Sequence, residues 1–120
     1  MSGESVPRPP VVCLCGSTRF WREFQQQSLR LTLEGKIVLS IGAATASDED
    51  SFGFLPRADW ERIKGQLDEL HLRKIELADE VLILNVGGYI GESTRREIDH
   101  ALQIGRPVSY LEPTPGHSEG

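Results

Sequence analysis

"EVLILNVGGYIGEST" (80–94) is the stretch on which the fold turns. Residues 80–86 form a short aliphatic run, the pattern of a strand covered on both faces. "GGYIG" (87–91) is a glycine turn, and Ser93 opens a helix as its cap. Thr94, Ile98, Ala101 and Ile104 recur on one side of that helix, and Gly105 stops it. "PVSYLEP" (107–113) then reads as a further strand. Working back toward the amino end, a helix is predicted from Trp60, capped by Asp59, with Ile63, Leu67, Leu70, Lys74 and Leu77 along its inner side. "KIVLSIG" (36–42) and "VVCLC" (11–15) are two more strands, separated by a helix that carries Phe20, Phe24, Gln27 and Leu31 and ends at Gly35. Strands alternating with helices predict an α/β fold, a Rossmann- or flavodoxin-like three-layer sandwich around a parallel sheet of four to five strands.

The 120 residues suffice for one domain, expected over 11–113, between a disordered lead-in (1–10) and a flexible tail (114–120). No apolar run approaches the roughly 18 residues of a membrane span, and the amino end lacks the pattern of a secretory signal. A net charge of −5 argues against polymeric nucleic acid, which leaves a basic footprint, but not against a small phosphorylated ligand. Cys13 and Cys15 share a face of their strand, yet "CxC" without companion cysteines or a well-placed histidine is not a metal signature. They read as small buried hydrophobes, the compartment as cytoplasmic, and the metal and cofactor requirement as none. Four strands make a small sheet, so a homodimer or higher homo-oligomer is expected.

In open parallel sheets, ligands bind beyond the carboxyl ends of the strands at the topological switch. That rule brings "GSTR" (16–19) and "NVGGYIGEST" (85–94) to one rim. Each joins glycine and hydroxyls to a helix N-terminus, whose N–H groups and dipole suit a phosphate. Ser17, Thr18, Ser93 and Thr94 supply hydroxyls, Arg19 a charged fork, and Gly16, Gly88 and Gly91 let backbone approach a ligand. Simple helix capping by Ser17, Thr18 or Ser93 remains the alternative.

Glu97 stands out because it falls on the inward stripe, while Arg96, Asp99, His100 and Gln103 form the polar face. Ser93 lies four residues before it, one beyond capping-box spacing. A carboxylate turned toward glycine loops can act as a nucleophile or stabilise a cationic centre. His71 lies near Leu67, Ile75 and Ala78, where a satisfied core histidine is the simpler reading. His100 faces water, His117 belongs to the tail, and Asp48–Asp50 reads as a solvated acidic run.

The first strand ending "CGSTR", with "ADEVLILNVGGYIGESTRREIDHALQIGRPVSYLEP", resembles the nucleoside 2-deoxyribosyltransferase superfamily, which includes nucleoside 5′-monophosphate N-glycoside hydrolases. The likeness covers roughly residues 11–24 and 70–112. It implies that Glu97 is the catalytic nucleophile toward the anomeric carbon, giving a covalent ribosyl intermediate. It implies a 5′-phosphate held by "GSTR", with Ser17, Arg19, Ser93 and Thr94 as donors, and sugar or base contacts from Asn85 and Tyr89. The family's aspartate on the helix before the third strand, counted back from Ala78 and Asp79, is replaced here by His71, a possible general acid.

Cleavage or transfer at the N-glycosidic bond of a nucleoside or nucleoside 5′-monophosphate is therefore the expected function. Two alternatives stand beside it. One is a nucleotide-sensing module without turnover. The other is a glycohydrolase of a dinucleotide such as NAD, for which the 43–56 loop would open as a lid.

Overall fold

The computed structural model describes residues 8–41 and 55–114. Residues 43–54 of the expected lid, with Asp48–Asp50, lie outside the described residues, as do most of the lead-in and of the tail with His117. The last three residues of the lead-in belong to the domain. The Arg8 guanidinium donates from both nitrogens to Asp79, each bond 2.9 Å long. That fork, with the Val11 N–H at 2.8 Å, holds the Asp79 carboxyl down to about 2. The Arg8–Asp79 pair is solvent-exposed, so it fixes the chain's entry more than it adds stability.

Four strands, β1 (Val11–Cys15), β2 (Ile37–Leu39), β3 (Glu80–Ile83) and β4 (Val108–Tyr110), form one parallel sheet in the order β2-β1-β3-β4. Three helices connect them: α1 (Trp21–Leu33), α2 (Arg57–Leu77) and α3 (Glu92–Gln103). This is an α/β architecture of the Rossmann or flavodoxin type. The chain leaves β1 for β2 on one side, then crosses back over β1 to β3. The carboxyl ends of β1 and β3 therefore flank the switch point. Cys13 pairs with Val81 and Cys15 with Ile83, and the Leu84 N–H extends this ladder to the Cys15 carbonyl at 2.8 Å.

Alternation along the central strands sorts the core into two layers. Val12, Leu14, Leu82 and Leu84 face α1, where Phe24 and Leu31 meet them. Full burial of a side chain such as Phe24 is worth roughly 2–3 kcal/mol against leaving it in water. Val11, Cys13, Cys15, Val81 and Ile83 face α2 and α3, where Ile75, Ala78 and Ala101 close the layer. The continuous aliphatic runs of β1 and β3 thus mark the two central strands. The edge strand β2, by contrast, exposes Ile37.

Two expectations are corrected here. Helix α2 begins at Arg57 rather than Trp60, directly after Pro56, whose fixed φ prepares the first turn. Its inner face is also one step round from the predicted stripe. Leu67, Leu70 and Leu77 are exposed, whereas His71 and Ile75 are buried. The inward line runs 64, 68, 71, 75, 78, because the sheet face it covers also contains the site.

Candidate active site

Helix α3 begins without a side-chain cap. Its N-cap is Gly91, not the expected Ser93, so no hydroxyl occupies the first N–H groups from outside the helix. Gly91 also has a steric reason: a Cβ there would stand 3.2 Å from the Tyr89 hydroxyl. Before it, Val86–Gly88 make a tight 3-10 turn in which Gly87 and Gly88 have φ of 64° and 82°. After β1, Ser17 does cap: its Oγ accepts the Arg19 N–H at 3.3 Å across a short 3-10 turn, Thr18–Phe20. Gly16 packs on β3, where an added Cβ would meet the Leu84 carbonyl at 3.1 Å.

These turns border a cavity of about 380 Å³ at the switch point. That volume falls within the usual range for small-molecule sites. Gly16, Ser17, Thr18, Tyr89, Gly91, Ser93 and Thr94 line it from the two loops, and Glu97 and His71 from the helices. Three expected residues are placed elsewhere. Asn85 is fully buried and spends its amide on Glu112, donating to the carbonyl at 2.9 Å and accepting the N–H at 2.9 Å. There it ties the exits of β3 and β4 and does not line the cavity. Gly88 is exposed away from the cavity, and its positive φ accounts for the residue. Arg19 stacks outside, its guanidinium 4.0 Å from the Tyr89 ring centroid.

Sequence reasoning missed the polar wall that α2 supplies. Lys64, Asp68 and Lys74 face the cavity together with His71. Lys64 donates to Ser93 Oγ at 3.1 Å and lies 3.4 Å from Asp68, which also sits 3.6 Å from Arg96. The spacing 64, 68, 71 is a helical stripe in its own right, hidden beside the more apolar stripe 63, 67, 70. His100 does not face open water; its Nε2 reaches the Glu76 carboxylate at 2.8 Å across the α2–α3 seam.

Glu97 is 8% exposed, as its place on the inward stripe predicts. Burial pushes its carboxyl up to about 7; the charges of Cys13 and Asp68 add to the rise, while His71 and the neighbouring Cys15 thiol oppose it. Near neutral pH such a group holds substantial populations of both forms. His71 Nε2 lies 2.9 Å from the Leu14 carbonyl, 3.6 Å from Cys13 Sγ and 3.5 Å from Cys15 Sγ. Burial works against the charged ring, yet the bond and charge of Cys13 and the charge of Glu97 outweigh it, leaving the imidazole above its ordinary value. The expectation that "CxC" lacks a well-placed histidine is thereby overturned. Cys13 is held down to about 6, chiefly by the neighbouring Cys15 thiol, and Cys15 is pushed well up by Cys13 and by burial.

Compared with protein-family models, with curated proteins and with solved structures, the chain matches none. Among the described residues, no helix is long and apolar enough to cross a membrane.

Proposed function

We propose that this protein cleaves or transfers at the N-glycosidic bond of a nucleoside or nucleoside 5′-monophosphate, with Glu97 as the nucleophile. The observation that carries the reading is a buried carboxylate opening onto a small-molecule cavity between two loop-to-helix junctions. Ionised Glu97 attacks the anomeric carbon as the bond to the base nitrogen breaks, and the base leaves with a proton. The resulting glycosyl ester is then opened by water or by an acceptor base. Desolvation makes the carboxylate more reactive than one in water, at the cost of a smaller ionised fraction below neutral pH.

His71 and Asp68 are both positioned on the cavity wall to deliver or orient the leaving base's proton, one helical turn apart on α2. The uncapped start of α3, Ser17, Thr18 and the ammonium groups of Lys64 and Lys74 suit a 5′-phosphate. A monophosphate is therefore the preferred substrate over a free nucleoside. Arg19, outside the cavity but stacked on Tyr89, acts on the entering substrate through that ring. Self-association belongs to the same reading, supported by exposed Leu67 and Leu70 at the cavity's edge, and sedimentation analysis tests it.

The test is incubation with a panel of nucleosides, their 5′-phosphates and NAD, followed by chromatography for free base. Release from the phosphates, lost by several orders of magnitude in Glu97→Ala while binding persists, is the expected result. Binding without release of base from any member refutes catalysis and leaves the nucleotide-sensing function. Release from NAD alone would instead identify a dinucleotide glycohydrolase.

A further inference from the structure

Under the cavity floor lie two thiols that the glycosidic chemistry does not use, beside His71, which it shares. Cys13 and Cys15 project from the same face of β1, both fully buried, and His71 of α2 closes over them at 5% exposure. One ligand atom from each can be chosen so that all lie within 4.8 Å of one another. We propose that Cys13, Cys15 and His71 form a site for one thiophilic divalent cation of the zinc type.

The distances carry the argument. In a tetrahedral zinc site with bonds of about 2.3 Å to sulfur and 2.05 Å to nitrogen, a sulfur and a nitrogen stand about 3.6 Å apart. His71 Nε2 stands 3.6 Å from one sulfur and 3.5 Å from the other. Both nitrogen-to-sulfur edges of the tetrahedron are thus near their final lengths, and the two sulfurs, within 4.8 Å of each other, close to about 3.8 Å on binding. A disulfide is the competing fate of two such thiols. Residues two apart on a strand have Cα atoms about 6.6 Å apart, at the upper limit of disulfide geometry. Both cysteines are free.

Glu97 is a charged neighbour of this group and stands on the same cavity wall as His71. His71 and Glu97 both line the cavity, which supplies the entry path. Two thiolates and an imidazole select a soft or borderline cation over magnesium or calcium. Loading requires both thiols to give up their protons. It also requires His71 Nε2, which donates to the Leu14 carbonyl, to give up its proton and release that bond, leaving a neutral ring protonated on Nδ1. Lys74 and Glu97 are the charged neighbours felt by this group, and the lysine's charge favours the thiolates. A cation held here also occupies His71, the proposed proton donor. Loss of glycosidic activity on loading follows only if the function proposed above holds, whereas binding is independent of it.

The probe is Co²⁺ added to the reduced, full-length protein, followed by displacement with Zn²⁺. One cobalt per chain is expected, with a thiolate-to-metal charge-transfer band and the intense visible bands of tetrahedral coordination. Cys13→Ser and His71→Ala are each expected to weaken binding by about 100-fold or more. Zinc-edge X-ray absorption on the wild-type protein needs no variant, and two sulfur scatterers at about 2.3 Å are expected. Weak octahedral cobalt bands that persist in Cys13→Ser, or a zinc shell of oxygen and nitrogen alone, would overturn the site. No turnover enters either measurement, so failure of the metal site and failure of the glycosidic reading are told apart.

Discussion

Exchanging Glu97 for Gln is expected to stabilise the protein, by an amount that grows with pH. The carboxyl rises from 4.5 in an exposed setting to about 7 in the fold, first because it is buried. Between those values the native state keeps a proton that the unfolded chain has released. The native state therefore binds more protons, and its stability falls as pH increases through this window. Below about 4.5 both states are protonated and the penalty is absent; above about 7 it is present in full. At 1.36 kcal/mol per pH unit the gap comes to about 3 kcal/mol, or about 10 °C in Tm for a chain of this size. The neutral amide of Glu97→Gln carries no such penalty. Urea unfolding of both proteins, followed by tryptophan fluorescence at about pH 5, 7 and 8.5, separates the pH-dependent part from any constant offset. A difference that stays flat across that range, or a wild type more stable at the alkaline end, would refute the argument from burial.

The remaining expectations concern other links of the same chain of reasoning. If Glu97 is the nucleophile, kcat/KM for a nucleoside monophosphate rises with pH through about 7 as the carboxyl ionises, and a profile without that limb counts against the assignment. Asn85→Ala leaves the buried main-chain ends of Glu112 without their partner; a loss of about 3 kcal/mol in urea unfolding is expected, and a loss under about 1 would show the clamp to be dispensable. Gly16→Ala drives a methyl toward the Leu84 carbonyl at 3.1 Å and Cβ at 3.2 Å, so a cost of about 1–3 kcal/mol is expected in the same assay, with wild-type stability as the contrary result.

The buried central strands and the inward face of α3 were legible because their signals are local. β1 and β3 are continuous aliphatic runs, and Thr94, Glu97 and Ala101 recur at the period of one helix. Glu97 could be singled out because a lone charge interrupts an otherwise apolar and small-residue face. Helix α2 misled because its most apolar stripe is not its buried one. Leu67 and Leu70 are exposed at the cavity's edge, while Lys64, Asp68 and His71 line the cavity beside them and only His71 is buried. The difference is set by tertiary placement and leaves no mark in hydrophobic period. Asn85 was misread for a related reason. A polar residue at the end of a strand looks like a ligand group until its partner, 27 positions later in the chain, is known. The contact of Cys13 and Cys15 with His71 is likewise non-local, spanning 58 and 56 residues.

The exit of β4 has a consequence for how the protein can be handled and controlled. Glu112 is gripped by Asn85 at its main chain and reaches with Oε1 to the Gly87 N–H at 3.0 Å, while the Leu111 N–H holds the Ile83 carbonyl at 2.8 Å. The turn that presents Tyr89 is therefore braced from behind by residues 111 and 112. Tension or a proteolytic nick at the carboxyl side of residue 110 would travel through that brace to the mouth of the cavity, making this edge the natural handle for anything that tunes the site from a distance.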